Sequence, residues 1–95
     1  MKCKKTQYTG HAVKRMFERR LTEEDVAEVI SSGEIIKEYP DDKPYPSQIL
    51  LGTINNEPIH VVVAFDKNSE SCYVITVYKP DEVIWDIHFR KKVKK

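Results

Sequence analysis

The chain has 95 residues, a formal net charge of +1 and two cysteines. A chain of this length supports one modest core, because small domains bury only about 60% of the surface that they expose when unfolded. It has no apolar run of roughly 18 residues or more and no signal-peptide pattern, which favours a soluble, cytoplasmic protein. Five cations lie in residues 90–95, so the rest of the chain has a net charge of −4, and a uniformly basic nucleic-acid coat protein is disfavoured.

The two cysteines and the basic tail predict little chemistry by themselves. Cys3 and Cys72 have no nearby pair of metal ligands, so we expect two free thiols and neither a disulfide framework nor a zinc site. The tail either binds phosphate backbones or an acidic partner segment, or is a solvated end that keeps the chain soluble. We expect a single domain over residues 1–95, with mobile ends at 1–8 and 90–95.

Two helices are predicted first. One covers Gly10 to Arg20, where apolar residues and cationic residues follow separate helical stripes. The apolar stripe is Ala12, Val13, Met16 and Phe17, and the cationic stripe is His11, Arg15 and Arg19. The second helix begins at Thr22, with Asp25 completing a capping box, and ends near Ser32, where Gly33 is expected in a left-handed conformation.

Four strands follow the helices and are expected to form an antiparallel meander. They are Glu34 to Tyr39, Gln48 to Ile54, Pro58 to Asp66 and Cys72 to Tyr78. The predicted fold class is therefore α+β, with two N-terminal helices packed on one face of a four-stranded antiparallel sheet.

The last two strands are expected to have one apolar and one mixed face. His60 should lie opposite Thr76 or, after a shift by two residues, opposite Tyr78. The apolar face, predicted to take the helices, carries Ile59, Val61, Val63, Phe65, Tyr73, Ile75 and Val77. The other face carries His60, Val62, Ala64, Val74, Thr76 and Tyr78, and is expected to be exposed and to hold a site.

No strong catalytic motif occurs, so function depends on loose groups of residues. His11 and Arg15 on the helical stripe, and His60 and Tyr78 in the strands, are candidate catalytic residues. Arg19, Trp85, Arg90 and Lys91 are candidate contacts to RNA phosphates or bases. Each also has a structural interpretation: ion pairs for the arginines, a hydrogen bond for His60, and packing for Tyr78 and Trp85. Asp86 and His88 are too few for a metal site, and we expect no metal or cofactor.

The residues at both ends of the domain resemble a known family. At the N-terminal end the matching residues are His11, Ala12, Arg15, Met16, Arg19, Leu21, Thr22, Asp25, Val26 and Gly33. At the C-terminal end they are Val74 to Tyr78, Pro80, Asp81 and Trp85. Over about residues 8–88 the chain resembles the domain of unknown function 4258 family, small prokaryotic proteins grouped with the RelE-like and BrnT-like toxins.

This resemblance implies a RelE-like fold and a toxin of a toxin–antitoxin system. Such toxins cleave mRNA without a metal, by attack of the RNA 2′-hydroxyl on its own phosphate, and a cognate antitoxin protein masks their site. Our first hypothesis is an mRNA endoribonuclease in which His60 or His11 moves the proton, Arg15 and Arg19 stabilise phosphate charge and Tyr78 orients the nucleotide. The alternative is a non-catalytic RelE-like module that binds protein or RNA.

Overall fold

The fold is an α+β arrangement of two helices on one face of a five-stranded sheet, in a computed structural model that describes residues 3–81 and Phe89. The elements are β1 (Lys5–Tyr8), α1 (Gly10–Glu18), α2 (Glu23–Ser32), β2 (Glu34–Tyr39), β3 (Ser47–Ile54), β4 (Glu57–Asp66) and β5 (Ser71–Tyr78). The strand order is β1-β5-β4-β3-β2. The predicted class and helix pair are confirmed, whereas the prediction of a four-stranded, purely antiparallel sheet is wrong.

The additional strand is β1, which pairs in parallel with β5 from Lys5 opposite Ser71 to Tyr8 opposite Val74. Its four residues were expected in a mobile end, and in the structure Thr6 and Tyr8 are half-buried while Lys5 and Gln7 are exposed. A disulfide between Cys3 and Cys72 links the start of this segment to β5. The expectation of two free thiols is therefore wrong, because sequence distance says nothing about which strands become neighbours.

The helix ends follow from local capping. The Thr9 hydroxyl accepts a hydrogen bond from the Ala12 amide at 3.0 Å and begins α1, which ends at Glu18, two residues before the predicted limit. The predicted capping box of α2 is confirmed, with Thr22 and Asp25 exchanging two hydrogen bonds of 3.0 Å. Gly33 is extended, not left-handed; a Cβ there would lie 2.9 Å from the Leu51 carbonyl oxygen, so close approach of backbones requires the glycine.

A β-bulge decides which residues of β5 face the helices. Val62 lies opposite Thr76 but Val63 lies opposite Val74, which leaves Ile75 as the additional residue. At this point the edge partner of β5 changes from β1 to Thr9, whose hydroxyl donates to the Ile75 carbonyl at 2.9 Å. The predicted faces are confirmed for Val77 and Thr76, on the C-terminal side of the bulge. On its N-terminal side the two faces of β5 are exchanged. Cys72 and Val74 face the helices, in place of Tyr73 and Ile75.

The core lies between the helices and the sheet. Its buried members are Ala12, Met16, Val26, Val29, Ile30, Leu50, Ile59, Val61, Val63, Cys72, Val74 and Val77. α1 contributes only Ala12 and Met16, and the other two residues of its predicted apolar stripe, Val13 and Phe17, are exposed. Only two of the four apolar residues of α1 therefore pack into the core, because α1 covers only the edge of the sheet beside β5.

Candidate functional site

Three cationic residues, two of them consecutive and the third distant in the chain, line one cavity of about 200 Å³. The cavity lies where the α1–α2 turn, the β3–β4 turn and the end of β5 meet. We call it the cationic pocket. It is lined by Arg19, Arg20, Leu21, Ile54, Asn55, Glu57, Ile59 and Lys79. Its apolar residues are buried or half-buried and its charged residues are exposed, and the cavity has room for a few waters or a small polar group.

The sharp end of α1 places both arginines in the pocket. Arg19 caps the helix, with its amide donating to the Arg15 carbonyl oxygen at 3.0 Å. Arg20 follows in a left-handed conformation, with φ of 56°, and the Leu21 amide returns to the Met16 carbonyl at 2.8 Å. Left-handed backbone is unfavourable for a residue with a side chain and persists where the surroundings impose it. The turn therefore presents two guanidinium groups in succession at the negative end of a helix dipole.

The opposite wall comes from the sheet. Asn55 and Asn56 both have positive φ, 52° and 65°, as in a two-residue hairpin turn, and this confirms the predicted turn between β3 and β4. The turn brings Glu57 beside Lys79, which follows β5, with 3.7 Å between a carboxylate oxygen and Nζ. Both side chains are about half exposed, so this ion pair contributes little to stability and can open to a ligand.

The charge balance of the pocket is positive. It holds three cations and one carboxylate, and within residues 3–81 neither Arg19 nor Arg20 has an ion-pair partner. Guanidinium groups bind phosphate and carboxylate through paired, charge-assisted hydrogen bonds. The pocket is therefore suited to an anionic group attached to a larger molecule that contacts its apolar residues.

His60 and Tyr78 form a second polar group, on the sheet face away from the helices. His60 is fully buried. Its Nδ1 lies 3.1 Å from the Tyr78 hydroxyl, and its Nε2 lies 2.8 Å from the Phe89 carbonyl oxygen. A carbonyl oxygen only accepts, so Nε2 carries the proton, and in neutral His60 the Tyr78 hydroxyl donates to Nδ1.

The surroundings keep this pair uncharged. Burial lowers the pKa of His60, and the hydrogen bond to the Phe89 carbonyl opposes this effect in part. Burial also raises the pKa of Tyr78, with a smaller contribution from Tyr39. Both groups are neutral at pH 7, and the hydrogen bonds of His60 fix its ring. The face predicted to be exposed is in fact closed at His60, so the pair resembles a structural hydrogen-bond chain more than an open catalytic site.

The four predicted catalytic residues fall into two separate groups. His60 and Tyr78 lie together on one face of the sheet. His11 and Arg15 are exposed on α1, which packs against the opposite face, and Arg15 donates to Glu18 at 3.1 Å. Of the predicted phosphate contacts, Arg19 lies in the cationic pocket. Trp85, Arg90 and Lys91 lie outside the described residues, as does the Asp86–His88 pair.

Sequence reasoning missed Arg20, Glu57 and Lys79 as pocket residues. The position of Arg20 next to Arg19, just before a helix start, was the sequence signal for it. Glu57 and Lys79 can be assigned to the pocket only from the β4–β5 register, which places the start of β4 beside the end of β5.

Two further properties bound the chemistry within the described part of the chain. In residues 3–81 and Phe89, no group of three His, Cys, Asp or Glu side chains is arranged to hold a metal ion. Neither α1 nor α2 has the length and apolar character needed to cross a membrane.

The comparisons with known proteins give one finding. The model of a protein family described as a domain of unknown function, DUF4258, matches residues 8–79. The match covers most of the chain and includes both helices, strands β2 to β5 and every residue that lines the cationic pocket. No curated protein and no solved structure matched the chain.

Proposed function

The chain belongs to the DUF4258 family, and from this premise we propose that it is a RelE-like toxin that binds and cleaves RNA in the cytoplasm. The observation that supports this proposal is the cationic pocket, where one lysine and two arginines that have no ion-pair partner among the described residues surround a small cavity. Phosphate groups are the most abundant anions on RNA, and arginine forks match their geometry. In this proposal the fold is RelE-like and the pocket holds one phosphodiester group of the substrate.

The pocket residues divide the task of holding the phosphate. Arg19 and Arg20 bind the non-bridging oxygens, and Lys79 adds a compact positive charge at the other wall. The apolar residues Leu21, Ile54 and Ile59 contact the attached nucleoside. Because the Lys79–Glu57 ion pair is long and half exposed, Lys79 exchanges the carboxylate for a phosphodiester oxygen when RNA binds.

The proposed reaction needs no metal. The ribose 2′-oxygen attacks the adjacent phosphorus and loses its proton to a base, while the bond from phosphorus to the 5′-oxygen breaks and that oxygen takes up a proton. The products are a 2′,3′-cyclic phosphate and a 5′-hydroxyl. Arginine and lysine stabilise the charge that develops on the phosphorane. Within the pocket, Glu57 is the group suited to accept the 2′-hydroxyl proton.

A non-catalytic RNA-binding module is the second candidate. One observation favours it: the predicted catalytic residues His11, Arg15, His60 and Tyr78 are divided between the two faces of the sheet, and His60 is buried with both ring nitrogens hydrogen-bonded. The two candidates share the cationic pocket as a phosphate site and differ only in whether the bound RNA is cut.

A cleavage assay with purified protein separates them. Wild type and Glu57→Gln are incubated with a labelled single-stranded RNA, with and without a chelator, and with a control strand of the same sequence whose sugars are 2′-deoxy. The toxin proposal predicts cyclic-phosphate products from RNA alone, unaffected by chelation and reduced at least tenfold by Glu57→Gln. Lys14→Gln, a surface change outside the pocket, should cleave like wild type. RNA binding without any cleavage would support the non-catalytic module, and no RNA binding would contradict both.

A further inference from the structure

Strand β2 forms one edge of the sheet and has a single strand neighbour in the described part of the chain. It pairs with β3, while β1 is the strand at the opposite edge. The outer backbone groups of an edge strand are a template for another strand, and proteins usually protect such edges with charged side chains or a β-bulge. β2 has both features, and their arrangement decides whether they block a further strand or select one.

The bulge in β2 places Glu34 and Lys37 on the same face of the sheet. Glu34 lies opposite Leu51 in β3, and Lys37 lies opposite Ile49. These two positions of β3 are two residues apart, so their side chains face the same way. Residues three apart in a regular strand face opposite ways, and the register shift at Ile36 removes this difference. The edge therefore carries one acidic and one basic side chain on a single face.

Two isoleucines lie between these charges. Ile35 is 48% exposed, and Ile36 is half-buried. Lys37 makes no ion pair among the described residues, and its Nζ lies 5.5 Å from the centre of the Tyr39 ring. The edge thus presents, in order, a carboxylate, two apolar side chains and a cation that has no carboxylate partner in residues 3–81.

This order is complementary to itself when the strand runs antiparallel to a second copy. With Glu34 opposite Lys37 of the second copy, the two-fold axis repeats the same ion pair on its other side. Ile35 then lies opposite Ile36, so apolar side chains pair between the two ion pairs. A shift by one residue places Glu34 opposite Glu38 in one direction and opposite Ile36 in the other. Either shift removes the ion pairs, so the charges select one register.

We propose that β2 is an interface between two copies of this chain, which join their sheets edge to edge through antiparallel β2 strands. The two five-stranded sheets become one continuous sheet, and the exposed side chain of Ile35 is covered. A strand of six residues is a short edge, so we expect a weak dimer at the low end of the size range of specific interfaces. The proposal is independent of RNA binding, because β2 contributes no residue to the cationic pocket.

Sedimentation equilibrium of the full chain, at concentrations up to about 1 mM, measures this association. We expect a monomer–dimer equilibrium for wild type, and dissociation constants higher by roughly tenfold or more for Lys37→Glu and for Glu34→Lys, because each change places like charges opposite one another. The double variant Glu34→Lys, Lys37→Glu exchanges the two charges and should restore wild-type association. Lys67→Glu is the matched control, since it makes the same charge change in the exposed turn between β4 and β5, and it should associate like wild type.

Hydrogen exchange adds a test that needs no variant. Amides of β2 that point away from β3 should exchange more slowly at concentrations where wild type is dimeric, and those of β1 should not change. The expected pattern is therefore protection confined to one edge of the sheet.

Three results would overturn the proposal. They are a chain that stays monomeric at every concentration, a dimer that persists in both single variants or is not restored by the charge exchange, and a dimer whose β2 amides are not protected. RNA affinity should be equal in wild type and Lys37→Glu, and Arg19→Gln, Arg20→Gln should dimerise like wild type. A failure of the RNA proposal therefore leaves the expected dimerisation unchanged.

Discussion

The cationic pocket and the His60–Tyr78 pair lie at the same end of the sheet, but they differ in whether their polar side chains already have partners within the protein. In the pair, both ring nitrogens of His60 have hydrogen-bond partners, and the ring is fully buried. In the pocket, Arg19 and Arg20 have no ion-pair partner within residues 3–81. A group whose partners are internal stabilises the fold, whereas a group left without them is available to a ligand. Residue type alone therefore does not identify the site.

Removal of the disulfide should cause the largest loss of unfolding free energy and should leave RNA binding at the cationic pocket unchanged. The link between Cys3 and Cys72 closes a loop with a sequence separation of 69, and a loop of this length corresponds to about 4 kcal/mol of unfolding free energy. We expect Cys3→Ala, Cys72→Ala to lose stability of this order in urea unfolding, and reduction of wild type to have a similar effect. RNA affinity of the protein that remains folded should not change, because the pocket lies at the other end of β5. Unchanged stability would show that β1 is held by its strand pairing alone.

His60→Ala tests whether the His60–Tyr78 pair stabilises the fold. It leaves the Tyr78 hydroxyl and the Phe89 carbonyl oxygen without their partner and opens a cavity, which together cost about 3 kcal/mol. We expect a loss of this size in urea unfolding, with RNA affinity of the folded fraction retained. The matched change on the pocket side, Arg20→Gln, should alter stability by less than about 0.5 kcal/mol. If His60→Ala were as stable as wild type but could no longer cleave RNA, the pair would be catalytic and not structural.

The pH dependence of stability is a smaller test of the same pair. Unfolded His60 titrates near the ordinary pKa of 6.5, and burial lowers its pKa in the folded protein. Between these two values the unfolded state binds more protons, so stability is complete above pH 6.5 and falls as the pH decreases toward the folded pKa. The slope is at most about 1.4 kcal/mol per pH unit. Urea unfolding should show it in wild type and in the control His11→Gln, and His60→Gln should abolish it. A slope that persists in His60→Gln would assign the titration to another group.

The sequence predicted the parts of the fold that depend on local patterns. The Thr22 capping box, the Asn55–Asn56 turn and the alternation of β4 each depend on a few neighbouring residues, and all three are confirmed. β1, the disulfide and the bulge at Ile75 depend on which distant segments become neighbours, and no local pattern contains that information. The same division applies to the site. Arg19 was predicted because it belongs to a helical stripe, while Glu57 and Lys79 join it only through the tertiary fold.

The salt dependence of RNA binding tests whether the cationic pocket holds RNA phosphate. Equilibrium affinity for a short single-stranded RNA is measured over a range of salt concentrations for wild type, for Arg19→Gln, Arg20→Gln and for the control Lys5→Gln, Lys14→Gln, which removes two cations outside the pocket. We predict that the pocket variant binds at least tenfold more weakly at low salt, with a slope of log affinity against log salt that is shallower by about 0.7, the value for one lost phosphate contact on a single strand. The control should differ from wild type by less than about twofold. Equal affinities and slopes for all three proteins, or a loss as large in the control as in the pocket variant, would contradict the assignment.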